Sequence, residues 1–465
     1  GYLRGLGHYT DTYDPNYFVL TSDGPSLEDK LVEHDWDLVG FSILEETIVE
    51  DIAHMYLCQR LRPSALQVAG GIEAQFNYQT ILDKSPCKIV ILGEGEAPMR
   101  MIAEGQPLGD IPGVVFRNNA LPMPQKLFDE ATASISWEDT PYEKYWDYYV
   151  QKYGDKLTEQ NKTEIHTVRV FSKNRCPIGC KFCSSTNQLT WGSDLKVPVI
   201  GSSDEVLLSV IDRIVESHPR VRTIYFTDDD FCINKKSVIG FCKELVKRNY
   251  PKHISFMSFA RITDLNDDVL GWLKKGNFRQ LNIGIESFSQ SKLDAMDKFC
   301  TEERIHDVLK LTKKHGIKVY FNIILVTPEC SLDDIEYDIM RTREYMSDDW
   351  YTAGIIQGIK PLKGTDYYEQ YANYITRIEN IRDTHYSIKV DDLILADDPL
   401  VRKAQIAFKS GIADEIVSQV EMQGISHPTG TNLAEIKLNF MESVIAEIKD
   451  NPTQQLVVPY DELPV

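Results

Sequence analysis

The chain has 465 residues, and at about 150 residues per domain this length predicts about three domains. Acidic residues outnumber basic ones by 70 to 50, a formal charge of −20, which argues against a protein that coats DNA or RNA, because phosphate binding needs a basic surface. Hydrophobic residues make up 42% of the chain, enough for a folded core, but no apolar run reaches the ~18 residues of a membrane span.

Residues 1–120 alternate short apolar strands with amphipathic helices, which predicts a doubly wound α/β domain. The strands are predicted over Asp37–Ser42, Ala65–Ala69 and Lys88–Leu92, with a helix over Val49–Arg62. Open parallel sheets of this kind bind ligands at the carboxyl ends of their strands. Residues 121–163 are rich in proline and aromatic residues, and we predict an irregular linker there.

Residues 164–365 show six strand–helix alternations, which predict a partial (β/α)6 barrel with its site at the carboxyl ends of the strands. The strands are predicted over Ile165–Phe171, Arg222–Thr227, Ile254–Ala260, Gln280–Glu286, Lys318–Val326 and Ala353–Lys360. Residues 366–465 are acidic and mostly helical in pattern, and no motif in them suggests a chemistry.

Three of the nine cysteines stand together, at positions 176, 180 and 183. A lone cysteine is most often a small buried hydrophobe, and we read the other six in this way. A zinc site would need a fourth ligand, and neither His166 nor His218 stands at zinc-finger spacing. Three thiolates suit a [4Fe–4S] cluster with one iron left open, while zinc or a purely structural cluster remains the alternative.

The spacing Cys176-x3-Cys180-x2-Cys183 directly after a strand resembles the radical SAM superfamily, and further positions match it in chain order. Each match stands at the end of a predicted strand or directly after it: Asp228-Asp229-Asp230, Arg261, Gly284-Ile285-Glu286-Ser287 and Lys360–Thr365. The fifth strand departs from the pattern, because Asn322–Glu329 lacks the glycines of the GxPGE motif that many relatives carry there. Agreement at several positions in order is far more specific than any one of them.

The resemblance implies that Cys176, Cys180 and Cys183 bind the cluster and that S-adenosylmethionine (SAM) chelates its open iron. One electron from the cluster then cleaves SAM to a 5′-deoxyadenosyl radical, which abstracts hydrogen from a substrate. The residues implied in SAM binding are Asp228 and Asp229 for the amino group, Arg261 for the carboxylate, and Gly284, Glu286 and Ser287 for the ribose or amino acid part. From the residues alone, the acids could equally cap a helix, and Arg261 could lie on the surface.

Residues 1–120 are similar to the cobalamin-binding-type domain that precedes many radical SAM domains. The matching residues are Ser42, Leu44, Gly70, Gly71 and the stretch Gly93-Glu94-Gly95-Glu96. The cobalt-ligating pattern of that family, D-x-H-x-x-G, is not in the chain, and the segment that could carry it would precede Gly1. Two readings stay open, a domain that binds cobalamin and a vestigial one whose glycines only form tight turns.

These observations predict a radical SAM enzyme that acts on a small or medium metabolite, most simply by cobalamin-dependent methylation of a carbon atom. The alternative is a cobalamin-independent dehydration, epimerisation, rearrangement or oxidation on the same scaffold. Enzymes that methylthiolate tRNA need a second set of three cysteines near the N-terminus, where this chain has only Cys58 and Cys87. An iron–sulfur electron carrier would need no SAM motifs. The predicted partners are the metabolite and an electron donor such as flavodoxin or ferredoxin, without nucleic acid, in the reducing cytoplasm.

Overall fold

A computed structural model of the chain describes residues 1–16, 24–116, 128–154, 164–185, 198–250, 252–371, 374–423 and 431–453. The chain divides into two compact units. The first comprises Gly1–Pro177, Ser184–Ile224 and Ile378–Val390, and the second comprises Ile178–Cys183, Tyr225–Arg377 and Asp391–Val465. The domain limits expected from the sequence stay a prediction.

A four-stranded sheet organises the N-terminal part of the first unit. Its strands are β1 (Leu38–Ser42), β2 (Leu66–Gly70), β3 (Ile89–Ile91) and β4 (Val114–Val115), in that order. The first three are parallel and match the predicted strands, whereas β4 is antiparallel and was not predicted. The helices of this part are Tyr2–Gly5, Leu27–Glu33, Ile48–Leu61, Ile72–Lys84 and Glu96–Ala103.

Alternating residues of these strands enter two separate hydrophobic clusters, because successive side chains of a strand point to opposite faces of the sheet. Val68, Ile89 and Ile91 join one cluster, while Ala69 and Val90 join the other. Both faces of the sheet are therefore covered, which confirms the doubly wound arrangement.

The segment predicted as an irregular linker contains two helices, Phe128–Ala133 and Tyr142–Tyr153, so the expectation of irregular structure is wrong there. Positions 121–127 and 155–163 of that prediction lie outside the described residues. Trp146 is buried beside the rings of Tyr142 and His218, and this packing explains the helix. Pro141 stands at its N-cap, where a missing backbone N–H costs nothing.

A six-stranded sheet follows, in the order β10-β9-β8-β7-β6-β5. Its strands are β5 (Thr167–Val170), β6 (Thr223–Phe226), β7 (Ser255–Ala260), β8 (Phe278–Glu286), β9 (Lys318–Ile324) and β10 (Tyr351–Ile356). The helices between them are Asp204–Ser217, Lys235–Arg248, Asp267–Lys275, Gln290–Ala295, Glu302–Lys314 and Leu332–Met346. Strands adjacent in sequence are adjacent in space, which confirms the predicted partial (β/α)6 barrel.

The C-terminal region is mostly helical, as predicted, with helices Asp366–Gln370, Pro399–Gln423 and Thr431–Asp450. The sequence analysis missed a two-stranded hairpin, β11 (Tyr374–Asn380) and β12 (Ser387–Ile394). Its tip belongs to the first unit, where Ile381 and Ile388 join the core and Tyr386 stacks on Tyr56. None of the described helices is both long and apolar enough to cross a membrane.

Candidate functional site

The cysteine loop follows β5, and its second part is fixed by backbone hydrogen bonds within the second unit. The amide of Lys181 donates to the carbonyl of Met296 over 3.1 Å, and the carbonyl of Lys181 accepts from the amide of Tyr367 over 3.1 Å. The amide of Cys183 donates to the carbonyl of Cys180 over 3.0 Å. These bonds hold Cys180 and Cys183 on one short turn.

All three predicted cluster ligands lie outside any disulfide and are partly exposed. The backbone of Cys176 is tied to Ser185, whose hydroxyl accepts from the Cys176 amide over 3.2 Å. Across the described ranges, no three His, Cys, Asp or Glu side chains are gathered closely enough to hold a metal ion. The chemistry of the donor set, three cysteine thiols in eight residues, fits an iron–sulfur cluster, and the ligand assignment stays a prediction.

The acidic triplet lies directly after β6, where the sequence placed it. Asp228 and Asp230 are buried, whereas Asp229 is exposed. One oxygen of Asp230 accepts from the amide of Cys232 over 3.1 Å, and its Oδ2 is buried without a hydrogen-bond partner in the described structure. Asp230, which the sequence placed in the triplet but not among the residues implied in SAM binding, therefore brings a buried carboxyl group to this strand end, beside Asp264.

Arg261 is only 8% exposed, so the alternative of a surface arginine is wrong. Its Nη1 lies 3.7 Å from Asp264, and its Nη2 donates to the carbonyl of Lys298 over 3.4 Å. The Nε donor is buried and has no partner among the residues that the structure describes. A buried guanidinium donor without an acceptor costs free energy, which an anionic ligand would recover.

Glu286 ends β8 in a left-handed conformation, with φ of 69°. The register with β9 shifts between Gly284 and Glu286, and such irregularities re-aim a side chain. The Glu286 carboxylate folds back over Gly284, where a Cβ would collide with its Oε1 and stand 3.1 Å from Lys298 Nζ. Only a glycine at position 284 leaves room for the ion pair between Glu286 and Lys298. Its charged atoms, Glu286 Oε1 and Lys298 Nζ, lie 3.0 Å apart.

The Ser287 hydroxyl is already hydrogen-bonded to another residue of the second unit. Its hydroxyl donates to the carboxylate of Asp338, at 2.9 and 2.8 Å from the two oxygens. The amide of Phe288 donates to the same carboxylate over 2.6 Å, and Lys292 pairs with it over 2.6 Å. Ser287 shapes the loop after β8, and its predicted contact with SAM stays a prediction.

Cys180, Cys300, Lys298, Arg261 and Glu286 share one electrostatic neighbourhood. Burial raises the pKa of the Cys180 and Cys300 thiols, and the positive charges of Lys298 and Arg261 oppose that rise. Burial alone would lower the pKa of Lys298, but the Glu286 carboxylate and Cys180 outweigh it and raise that pKa. Sequence reasoning missed Lys298 and Cys300, because no motif marks the turn that brings them here.

Asp230 gives this strand end a testable pH dependence. Burial, reinforced by the nearby Asp264 carboxylate, raises the pKa of Asp230 to about 7. Between its ordinary pKa near 4 and about 7, the native state keeps a proton that the unfolded chain releases, so stability falls as pH rises through this window. At pH 8 we expect Asp230→Asn to be more stable than wild type by on the order of 2–4 kcal/mol, since each pKa unit is about 1.4 kcal/mol.

Urea denaturation of the metal-free chain at pH values from 5 to 8 measures this effect. The difference between Asp230→Asn and wild type is expected to grow with pH, and the exposed neighbour provides the control, since Asp229→Asn should follow wild type throughout. Parallel curves for Asp230→Asn and wild type would show that Asp230 ionises normally.

The N-terminal motif residues Ser42, Leu44, Gly70 and Gly71 meet at the carboxyl ends of β1 and β2. The amide of Ile43 donates to the carbonyl of Gly70 over 2.8 Å, so the two loops are joined. Gly71 has φ of 99°, and a Cβ there would stand 2.6 Å from the Ile43 carbonyl oxygen. Only glycine fits this position, because any side chain would collide with the backbone of Ile43.

Two further groups at this edge are available to a ligand. The Leu44 side chain is 48% exposed. The amide of Gly93, after β3, donates to Gln75 Oε1 over 2.7 Å, and the buried Nε2 of Gln75 has no partner within the described part of the chain. An apolar side chain and an unsatisfied amide donor therefore stand at the ends of three parallel strands.

Comparison with known protein families matches residues 170–339 to the radical SAM superfamily. These residues run from the end of β5 through the cysteine loop and the strand ends to Ile339. Residues 170–339 are a radical SAM domain. The expectation of an enzyme with a radical SAM domain is thereby confirmed.

Among curated proteins, the chain is similar to the anaerobic magnesium-protoporphyrin IX monomethyl ester cyclase of Cereibacter sphaeroides. The two are 24% identical over 356 residues, which are 75% of this chain and 55% of the cyclase. The chain thus spans about half the length of that relative.

Two solved structures share its fold. The radical SAM methyltransferase TsrM from Kitasatospora setae has a TM-score of 0.62 at 14% identity, covering 85% of this chain and 76% of TsrM. The cobalamin-dependent SAM radical enzyme OxsB has a TM-score of 0.61 at 14% identity, covering 92% of this chain and 66% of OxsB. The predicted fold class, an N-terminal doubly wound domain with a radical SAM barrel, is confirmed by this likeness.

Proposed function

We propose that this radical SAM enzyme holds a [4Fe–4S] cluster with Cys176, Cys180 and Cys183 and binds SAM at the ends of β6, β7 and β8. We propose further that it methylates a carbon atom of a small or medium metabolite with the help of cobalamin. When bound, the cluster supplies an electron for the cleavage of SAM, and cobalamin supplies a methyl carrier.

One observation carries the SAM site. Two buried polar atoms lack partners in the described structure at neighbouring strand ends, the Arg261 Nε donor and the Asp230 Oδ2 acceptor. The amino acid part of SAM ends in one carboxylate and one amino group, which need one donor and one acceptor of this kind. In this proposal, Arg261 binds the carboxylate, and Asp230, with Asp228 or Asp229, accepts from the amino group.

The ion pair of Lys298 and Glu286 orients the same site. Because each charge is matched by the other, the pair can stay buried without a ligand. Lys298 also contributes its carbonyl to Arg261, so the turn that carries Lys298 holds the guanidinium in place. In this proposal, these residues bind and orient SAM beside Cys180.

Cobalamin is proposed for the groove edge at β1–β3 because the joined loops at Ile43 and Gly70, the exposed Leu44 and the unsatisfied Gln75 amide fit a large polar ligand with apolar parts. The name of OxsB states cobalamin dependence and that of TsrM states methyl transfer, which supports the same proposal by analogy. The metabolite itself does not follow from these relatives, since the cyclase and TsrM carry different activities in their names.

Two exposed leucines of the first unit allow a matched test of cobalamin binding. Leu44 and Leu6 are 48% and 49% exposed, so a charge is tolerated by the fold at either place. Protein produced anaerobically with cobalamin is expected to retain it in stoichiometric amounts. Leu44→Glu should lose most of it, because a carboxylate would face an apolar part of the ligand, while Leu6→Glu should retain it.

The visible spectrum and mass analysis of bound cobalamin measure this result, and the iron content of each sample shows that the cluster is intact. If wild-type protein carries the cluster but no cobalamin, the proposal of methylation is rejected. A cobalamin-independent dehydration, epimerisation, rearrangement or oxidation then takes its place. If Leu44→Glu and wild type retain cobalamin equally, cobalamin does not bind at this edge of the sheet.

The remaining partners belong to the same proposal. A one-electron donor such as flavodoxin or ferredoxin would reduce the cluster, and a thiolate-bound cluster of low potential fits the reducing cytoplasm. The charge of −20 supports a metabolite rather than a nucleic acid as substrate.

A further inference from the structure

One face of β8, β9 and β10 carries neutral polar side chains in register. Asn282 is level with Tyr320, and Asn322 is level with both Gly284 and Gly354. The intervening residues point to the opposite face, which is apolar and fully buried, and include Leu281, Ile283, Phe321 and Ile323. The polar face of these strands is therefore distinct from the core of the second unit.

The part of this face near β6 and β7 is satisfied internally. Gln280 Nε2 donates to Asn282 Oδ1 over 3.0 Å, and Asn282 Nδ2 donates to the hydroxyl of Tyr225 over 2.6 Å. The Tyr225 ring lies 5.4 Å from the ring of Phe259, which is level with Asn282. These side chains are therefore held in place by hydrogen bonds to one another and by an aromatic contact.

The part near β10 is different, because its polar groups face a glycine. The side chains of Tyr320 and Asn322 are both half-buried, and the Tyr320 hydroxyl and Asn322 Oδ1 are directed toward Gly354. Both lean over Gly354, where a Cβ would collide with the Tyr320 hydroxyl and stand 2.6 Å from Asn322 Oδ1. Burial without a compensating group raises the pKa of Tyr320. We call Tyr320, Asn322 and Gly354 the polar notch.

We propose that the polar notch binds a neutral hydrogen-bonding group of the substrate, a hydroxyl or a carboxamide, during the reaction proposed above. The hydroxyl of Tyr320 can donate or accept, and the amide of Asn322 does both, so together they match a group with a donor and an acceptor. This inference rests on the proposed function, because it assigns the substrate of that same site.

Its position next to the proposed SAM site supports this role. Asn322 is level with Gly284, and adjacent strands lie about 4.8 Å apart. The Glu286–Lys298 ion pair sits directly over Gly284. A substrate anchored at the polar notch therefore places its neighbouring carbon atoms beside the group of residues that binds SAM.

The charges around the polar notch explain why the bound group is neutral. Lys298 and Glu286 already neutralise each other, so neither is left for a charged substrate group. On the same face, Lys318 lies two residues before Tyr320 at the start of β9, about 13 Å along the strand from Asn322 at 3.3 Å per residue. An ionised group at the notch would lose its water without gaining a counter-charge.

Four probes with one ring and different polar ends test this inference: phenylacetamide, phenylacetate, phenethylammonium and ethylbenzene. Their binding to anaerobic holoenzyme is measured by saturation-transfer NMR and titration, in the presence of S-adenosylhomocysteine. Phenylacetamide is expected to bind most tightly. Tyr320→Phe, which removes only the hydroxyl, should weaken the binding of phenylacetamide roughly five- to tenfold and leave the binding of ethylbenzene unchanged.

Gly354→Ala should abolish the preference for the amide, because its Cβ displaces Tyr320, whereas Gly271→Ala in an outer helix, where a Cβ meets nothing closer than 3.5 Å, should behave as wild type. The inference is overturned if a charged probe or ethylbenzene binds as tightly as the amide, if Tyr320→Phe has no effect, or if no probe binds. Cleavage of SAM by dithionite-reduced samples is measured in parallel. Loss of that cleavage would refute the proposed function, whereas intact cleavage with a failed probe test refutes only the polar notch.

Discussion

Cys180→Ala is expected to abolish the iron–sulfur absorbance at about 400 nm and all cleavage of SAM, since each thiolate is a proposed cluster ligand. The same loss is expected for Cys176→Ala and Cys183→Ala. The reason is geometric as well as chemical, because the backbone hydrogen bonds of Lys181 hold Cys180 and Cys183 on one turn.

Two other cysteines serve as controls for this prediction. Cys300 shares the electrostatic neighbourhood of Cys180 but is not a proposed ligand, and Cys242 is buried in the helix Lys235–Arg248. Cys300→Ala and Cys242→Ala should keep the iron content and the absorbance of wild type. A full cluster in any of the three ligand variants, or loss of the cluster in Cys300→Ala, would show that the ligand set is wrong.

Asp338→Ala is expected to destabilise the chain by about 3–5 kcal/mol, the usual effect of removing one partner of a buried ion pair. Lys292 and Asp338 are 1% and 0% exposed in their side chains and lie 2.6 Å apart. Lys292 Nζ also donates to the carbonyls of Ile324 and Leu325, over 2.8 Å each. Removing the carboxylate therefore leaves a buried ammonium without its counter-charge and releases the loop after β8.

Urea denaturation under anaerobic conditions measures this loss, and binding of S-adenosylhomocysteine reports on the loop that carries Ser287. The double variant Lys292→Met, Asp338→Leu is the informative control, because replacing both charges by apolar groups of similar size avoids the unpaired charge. We expect it to recover most of the stability but not the ligand affinity, since Ser287 and the amide of Phe288 lose their acceptor. A double variant as unstable as Asp338→Ala would contradict the electrostatic explanation.

Much of the architecture follows from local pattern. The alternation of apolar strands with amphipathic helices predicted the first three strands of the N-terminal sheet and all six strands of the barrel, with ends that differ by at most four residues. The largest difference is at β10, predicted to reach Lys360 but ending at Ile356, where Gly358 and Pro361 interrupt the strand pattern. The helix Tyr142–Tyr153 was missed because prolines and aromatics suggested irregular chain, while the burial of Trp146 decided the outcome.

By itself, the sequence determined the radical SAM domain, because three cysteines at fixed spacing and a series of strand-end residues in order constrain chemistry without knowledge of the fold. Only the tertiary structure decided which groups act together. Lys298 lies twelve residues after its partner Glu286 and reaches it through a turn with left-handed residues at Asp297 and Phe299. The polar notch joins residues of β9 and β10 that are more than thirty positions apart. Periodicity reports the face of an element that is buried, whereas these contacts depend on where separate strands end and how their loops fold back.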